Sequence, residues 1–296
     1  MAVKNNLHGV ILLDKPSGLS SNQALQKVKR LVGAKKAGHT GSLDPLATGL
    51  LPICLGQATK VSEYLLGSDK RYETVIKLGK TTTTLDAEGE ILLQRPVEFS
   101  EPALEAALEN FRGEIQQIPP MYSALKKNGQ PLYKLARKGQ EVERQPRTMQ
   151  VYELTAERLD QFHLRLNVHC SSGFYIRSLA ADLGEALQCG AHVVQLRRTQ
   201  IKTLKVSDAV SLAQLERDNA RDNFIKPIDS LLQEYPSYIL SNEQLNHLKH
   251  GRNPRVANLS NPALTRFYTE QGELFGLGNV TEQGVLKAQK QFVTAD

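Results

Sequence analysis

The sequence predicts an α+β fold: a mixed, mostly antiparallel sheet with flanking helices, followed by a small β-rich module. Three observations carry this. Helix-like and strand-like pieces come in mixed order rather than in regular strand–helix repeats. The clearest strand, Gln161 to Cys170, alternates Phe162, Leu164, Leu166, Val168 and Cys170 with His163, Arg165, Asn167 and His169, the half-buried pattern of an antiparallel sheet. Beyond Tyr235-Pro236, short strand-like runs dominate.

The elements follow in order. Gly9 to Leu13 is a short apolar strand that stops at the turn sequence Asp14-Lys15-Pro16-Ser17-Gly18. Ser20, with Gln23 three residues on, caps a helix whose apolar face is Ala24, Leu25, Val28, Leu31 and Val32, and Gly33 ends it. Lys35 to Gly41 reads as a glycine-rich loop, Tyr72 to Leu78 as a strand, Asp86-Ala87-Glu88-Gly89 as a turn and Pro102 to Phe111 as a helix. After the strand ending at Cys170, Ser171-Ser172-Gly173 turns the chain into a helix with Ile176, Leu179, Ala180, Leu183 and Leu187 on one side. In the last 60 or so residues, Ser241 to Gly251 is a short capped helix, and Glu273–Val280 and Gly284–Phe292 are strands joined across Thr281-Glu282-Gln283. The expected domains are therefore 1–235 and 236–296.

Composition narrows the function classes. Hydrophobic residues make up 40% and charged residues 23% of the 296, enough apolar material for a sizeable core and too much for general disorder. The net charge of +6 suits a polyanionic partner. Three cysteines cannot form a self-contained disulfide framework and fit a reducing compartment. No run reaches the roughly 18 apolar residues of a membrane helix, and Met1 to Asn6 with Val10 to Leu13 is too short for a signal peptide. The expectation is a cytoplasmic protein that binds no membrane. One stretch, Lys126 to Arg147, has seven cations against Glu141 and Glu143, a net +5 that nearly equals the whole chain's. With few apolar residues, it reads as an exposed excursion within an insertion of about 120–148, either a solvated charged loop or a phosphate-binding surface.

The most informative stretch is Ala37-Gly38-His39-Thr40-Gly41-Ser42-Leu43-Asp44-Pro45-Leu46-Ala47-Thr48-Gly49-Leu50-Leu51-Pro52. Pro45 biases Asp44 away from the α region and presents its carboxylate from an extended or turn backbone at the rim of a core. An isolated Asp-Pro reads as an Asx-turn or a helix cap. Gly79-Lys80-Thr81 ends like a phosphate-binding loop, but Thr74 stands where its first glycine belongs. Cys189-Gly190-Ala191-His192 has no second ligand pair at zinc spacing, so no metal is expected.

This block, with Asp14-Lys15-Pro16-Ser17-Gly18-Leu19-Ser20-Ser21 before it and Lys70-Arg71-Tyr72 after it, resembles the TruB family, the bacterial tRNA pseudouridine-55 synthases. The resemblance continues through Ile118-Pro119-Pro120-Met121-Tyr122-Ser123-Ala124-Leu125-Lys126, Gly173-Phe174-Tyr175-Ile176-Arg177-Ser178-Leu179 and Gly190-Ala191-His192-Val193-Val194-Gln195-Leu196-Arg197-Arg198, covering about residues 9–200. Ser20-Ser21 stands where many members have Thr-Ser. The C-terminal module looks like a PUA domain, a small RNA-binding β-barrel; its six cations against five acids limit the affinity it would add.

The resemblance implies a pseudouridine synthase catalytic domain acting as a monomer on the T-loop of tRNA. The reaction is an isomerisation and needs no cofactor: the N1–C1′ bond breaks, the uracil turns and C5 rejoins the sugar. Asp44 matches the family's nucleophile, which acts at C6, at C1′ or in a glycal route. Arg177 matches its arginine partner, expected as a bidentate fork; Arg197 and Arg198 lie outside that pair. Tyr72 matches the tyrosine that stacks on the uracil and removes the C5 proton; on its own it reads as a half-buried strand residue. Leu196 matches an apolar residue under the base, and His39 one that positions the flipped nucleotide. Lys15 is expected to support the floor of the site or to contact backbone. Lys126, Lys127, Arg137 and Lys138 belong to a loop that clamps the T-loop. Two rivals remain: a tRNA-binding chaperone without chemistry, and a glycoside hydrolase using paired carboxylates such as Asp44 and Asp86.

Overall fold

A computed structural model describes residues 7–256 and 261–292. Met1 to Asn6, read above for a targeting leader, lies outside them. The strands are β1 (Gly9–Lys15), β2 (Ala37–His39), β3 (Thr48–Leu55), β4 (Lys70–Leu78), β5 (Lys80–Thr82), β6 (Ile91–Gln94), β7 (Gly113–Gln117), β8 (Lys126–Lys127), β9 (Gln130–Pro131), β10 (Arg147–Arg158), β11 (His163–Cys170), β12 (Ala191–Ile201), β13 (Leu204–Lys205), β14 (Val210–Ser211), β15 (Ser237–Ile239), β16 (Asn261–Tyr268), β17 (Leu274–Val280) and β18 (Leu286–Gln291). The helices are α1 (Ser21–Leu31), α2 (Glu63–Leu66), α3 (Glu101–Glu109), α4 (Leu132–Ala136), α5 (Ile176–Ala186), α6 (Leu212–Arg217) and α7 (Asn242–Lys249).

The large sheet runs β14-β1-β3-β12-β4-β11-β10-β7, with β2 on β3 and β13 on β12. Only the β1–β14 and β3–β12 pairs are parallel, so the sheet is mixed and mostly antiparallel. Alternation divides its strands between two faces. Ile11 and Leu13 of β1 and Leu51, Ile53 and Leu55 of β3 join one core with Ala24, Leu25 and Val28 of α1, Leu104 and Leu108 of α3, and Leu179 and Leu183 of α5. Val10, Leu12, Leu50 and Cys54 face the other way and pack with Leu65, Leu231, Leu277 and Phe292. The C-terminal module thus completes the back of the sheet, each buried aliphatic side chain contributing about 1.5–3 kcal/mol.

Local signals behave as their chemistry requires. Ser20 accepts from Gln23 N–H while the Gln23 side chain returns to the Ser20 N–H. The strand expected from Gln161 starts at His163, because Asp160 accepts from the Phe162 and His163 N–H groups in a tight turn, leaving Phe162 exposed. The glycine-rich stretch Lys35 to Gly41 is not all loop: Ala37–His39 adds a short strand along β3. In the C-terminal module α7 carries the Ser241–Gln244 capping box, and the ladder β15-β16-β17-β18 is an open path among the described residues.

Candidate active site

One row of residues crosses four strands at one end of the large sheet. Lys15 of β1 pairs with Gly49 of β3, Gly49 with Arg198 of β12, and Arg198 with Tyr72 of β4. Gly49 permits the row: at φ +103°, a Cβ there would lie 2.3 Å from the Arg198 carbonyl. Lys15 is fully buried, and its Nζ donates to the carbonyls of Pro16 (2.8 Å), Leu19 (2.7 Å) and Pro45 (3.5 Å). Burial pulls its pKa down to about 8. All three acceptors are backbone carbonyls of the turn and loop around it.

The loop above the row is pinned at both ends. Ser21 accepts from Leu43 N–H (2.7 Å) and donates to Leu43 O (3.0 Å); Ala47 N–H closes a turn onto Asp44 O, and Gly18 N–H binds Pro45 O. Asp44 is held in a turn, as the Asp-Pro pair predicts, and its side chain keeps 38% exposure. Arg177, the second residue of α5, reaches it with Nε 2.9 Å from Oδ2. The contact is through Nε alone, not the expected bidentate fork. The other guanidinium nitrogens are taken: Nη1 donates to Thr84 O (3.0 Å) and lies 3.6 Å from Asp86 Oδ2, and Nη2 donates to Tyr122 O (2.6 Å). A cation only 5% exposed needs such partners.

The protein surrounding Asp44 pushes its carboxyl above the usual range, Arg177 draws it back, and Asp86 pushes it up again. Asp86 is itself buried and oriented by the Thr84 hydroxyl and the Glu88 N–H. Tyr72 is buried in the same core as Leu196. Burial raises its phenol pKa, and the positive charge of Arg198 opposes the rise, so it stands as a neutral phenol at neutral pH. His39 has a buried Nδ1 without a hydrogen-bond partner among the described residues, and burial, then Arg198, lowers its pKa, leaving it uncharged.

The structure thus brings Asp44, Arg177, Tyr72, Leu196, His39 and Lys15 to one end of the sheet. Lys126, Lys127, Arg137 and Lys138 are exposed on the β8–β9 hairpin and just after α4, outside that cluster. Two residues needed for the geometry were missed as such. Asp86 entered only as a member of a rival pair. Arg198 stays outside the Asp44–Arg177 pair but belongs to the site: it is 1% exposed, donates to Leu50 O (2.8 Å) and Gly41 O (3.1 Å), and stands beside Tyr72 on the neighbouring strand. A signal for it existed, since period-2 spacing puts Arg198 on the same face as Leu196. Among the described residues no cluster of His, Cys, Asp or Glu could hold a metal, and no helix is long and apolar enough to cross a membrane.

Comparison with known proteins bears on the chain as a whole. Residues 29–176 match the TruB family pseudouridylate synthase N-terminal domain, 177–233 the tRNA pseudouridylate synthase B C-terminal domain, and 236–290 the pseudouridine synthase II TruB C-terminal domain. Over 288 residues the chain is 50% identical to the tRNA pseudouridine synthase B of Pseudomonas syringae pv. syringae (strain B728a) and 51% identical to that of Stutzerimonas stutzeri (strain A1501), in each case covering 95% of this chain and 94% of the relative. Among solved structures, a Cbf5-Nop10-Gar1 complex contains a chain that superposes with a TM-score of 0.73 at 25% identity, over 97% of this chain and 86% of that one.

Proposed function

The chain belongs to the TruB family, and from that premise we propose that it converts uridine 55 in the T-loop of tRNA to pseudouridine, with Asp44 as the nucleophile. The activity is that of a tRNA pseudouridine synthase, an isomerase. The observation that carries the assignment of Asp44 is its ion pair with the buried Arg177 while its own side chain stays part-exposed. A carboxylate must be ionised and fixed to attack, and the guanidinium favours both. The presence of Asp86 meets the hydrolase's need for a second acid, but its oxygens are committed to Thr84, the Glu88 N–H and Arg177, which leaves it a holder of the arginine.

The remaining roles follow from placement. Reaching a uridine inside a folded T-loop requires flipping it out, at a cost of a few kcal/mol. Tyr72 stacks on the displaced base and its hydroxyl relays the C5 proton, passing its own proton on toward solvent as it takes the new one, Leu196 packs beneath, and His39, uncharged, positions the nucleotide. Lys15 holds the floor. The N1–C1′ bond is replaced by C5–C1′ and the C5 hydrogen is replaced by one on N1, so atoms and electrons balance with no cofactor. The reading is of a monomer that acts on its tRNA in the cytoplasm. The 236–296 module, a domain distinct from 1–235, adds RNA contacts of its own.

Incubating the purified protein with an unmodified tRNA transcript carrying C5-tritiated uridine tests the reading. It predicts tritium release and one pseudouridine, at position 55. Tight binding without release would favour a tRNA chaperone, and a pseudouridine elsewhere would remove the position.

The basic excursion has its own test. If Lys126, Lys127, Arg137 and Lys138 contact phosphates, replacing all four with alanine weakens tRNA binding and lowers the slope of log affinity against log salt by up to about 0.7–0.9 per lost contact. An unchanged slope in a salt titration returns the segment to a solvated loop.

A further inference from the structure

Helix α5 carries Arg177 in its first turn, yet it begins without a side-chain cap of its own: the N-cap residue is Tyr175. A tyrosine cannot supply the oxygen that serine or aspartate would. The start of the helix is held from elsewhere. Gln117, the last residue of β7, is 2% exposed, and its carboxamide spans the Tyr175 backbone. Its Oε1 accepts from Tyr175 N–H (2.8 Å) and its Nε2 donates to Tyr175 O (3.1 Å). Two further stitches follow along the chain. Ser178 Oγ donates to Ile118 O (2.9 Å), and Arg177 Nη2 donates to Tyr122 O (2.6 Å). The exposed basic segment starts a few residues later. Its root and the first turn of α5 therefore form one seam, with Arg177 in the middle.

We propose that Gln117 is a positioning residue for the reaction: by clamping the Tyr175 backbone it fixes the start of α5, and through it the Nε of Arg177 against Asp44. This inference rests on the reading above, in which Arg177 aims the nucleophile. Gln117 touches no reacting atom. It acts through a helix start two residues from Arg177, where a displacement of about 1 Å is enough to cost up to roughly a hundredfold in rate. The same seam gives the basic segment a mechanical path to the catalytic pair, because anything that pulls on Ile118 or Tyr122 pulls on the carbonyls that Ser178 and Arg177 hold.

The test is Gln117→Met, which keeps the length of the side chain and removes both hydrogen bonds. The single-turnover rate constant on tRNA falls by at least about tenfold, while tRNA affinity stays within about twofold. The separation of rate from affinity is one readout that a merely structural residue would not give. A second is the double-mutant cycle with Arg177→Lys. If Gln117 acts by placing Arg177, adding Gln117→Met to Arg177→Lys costs less than about threefold, because the two changes break the same arrangement. Should Gln117→Met fail to fold, Ser178→Ala, which removes only the stitch to Ile118, replaces it, with an expected loss of a few-fold in the same rate constant. A wild-type rate for the folded Gln117→Met, a full multiplicative loss in the cycle, or a wild-type rate for Ser178→Ala as the substitute overturns the inference. A wild-type rate for Arg177→Lys alone removes the reading on which it rests. A slow Arg177→Lys beside an unaffected Gln117→Met removes only the role of Gln117.

Discussion

Asp44→Asn lowers turnover of tRNA by more than about a thousandfold while the protein stays folded and binds its substrate, because an amide keeps the shape of the side chain but cannot act as the nucleophile. The surroundings of Asp44 make folding an easy condition to meet. The folded protein holds this carboxyl above the value an unfolded chain would give it, with burial as the main cause. A raised carboxyl contributes stability only while it is protonated, and that contribution is lost as pH rises through the unfolded and then the folded value. In the ionised form that attacks, the Asp44 charge is thus a cost to the fold that an asparagine does not carry, and Arg177 keeps Thr84 O, Tyr122 O and Asp86 as partners. The same shift places the acid limb of the wild-type rate profile above the ordinary carboxylate range, since attack needs the charged form. Turnover by pure Asp44→Asn at more than about a thousandth of the wild-type rate would remove Asp44 from the role, since losing a covalent nucleophile costs more than that.

Much of the fold was legible because its signals are local. The alternation of Leu164, Leu166, Val168 and Cys170 needs only its own strand to be read, and the Ser20–Gln23 capping box closes within four residues. The short strand Ala37–His39 was not legible: glycine and histidine carry little β signal, and the strand exists only because β3 is there to pair with it. The site divides in the same way. Composition makes Asp44 no more than an Asp-Pro turn, and its significance came from the long block of residues around it. Gln117 gave no signal, and Asp86 gave only a turn and a possible second acid, because the partners that matter come from distant parts of the chain: Tyr175 lies 58 residues from Gln117, and Arg177 draws its ligands from Asp44, Thr84, Asp86 and Tyr122. Arg198 was legible in principle. A charged residue in the buried register of a strand is a local contradiction, and here it marks a cation whose carbonyl partners and Tyr72 all belong to the site.

Arg177→Lys separates an aiming residue from a mere buried cation. Lysine keeps the positive charge but not the planar fork, and Arg177 uses that fork in three directions at once, toward Asp44, Thr84 O and Tyr122 O. A single ammonium on a flexible stem cannot satisfy the three together, so the carboxylate loses its one attack geometry. The rate constant for a single turnover is expected to fall by at least about a hundredfold, the cost of a misplacement of roughly 1 Å. Because the residue is buried, some stability goes too: each carbonyl left without a donor costs about 1–3 kcal/mol. The rate must therefore be read well below the melting temperature, with tRNA affinity measured alongside and expected to change little. Arg197→Lys is the proper control. Its guanidinium pairs with Asp14 at 2.7 and 3.0 Å at a part-exposed position, outside the Asp44 pair, where such a contact is worth about 0–1 kcal/mol. Arg198→Lys, one residue on, cannot serve, since Arg198 is buried beside Tyr72 and its loss disturbs the site directly. A near wild-type rate for folded Arg177→Lys, or an equal loss in Arg197→Lys, would make Arg177 a structural cation and leave Asp44 to be oriented by its own turn.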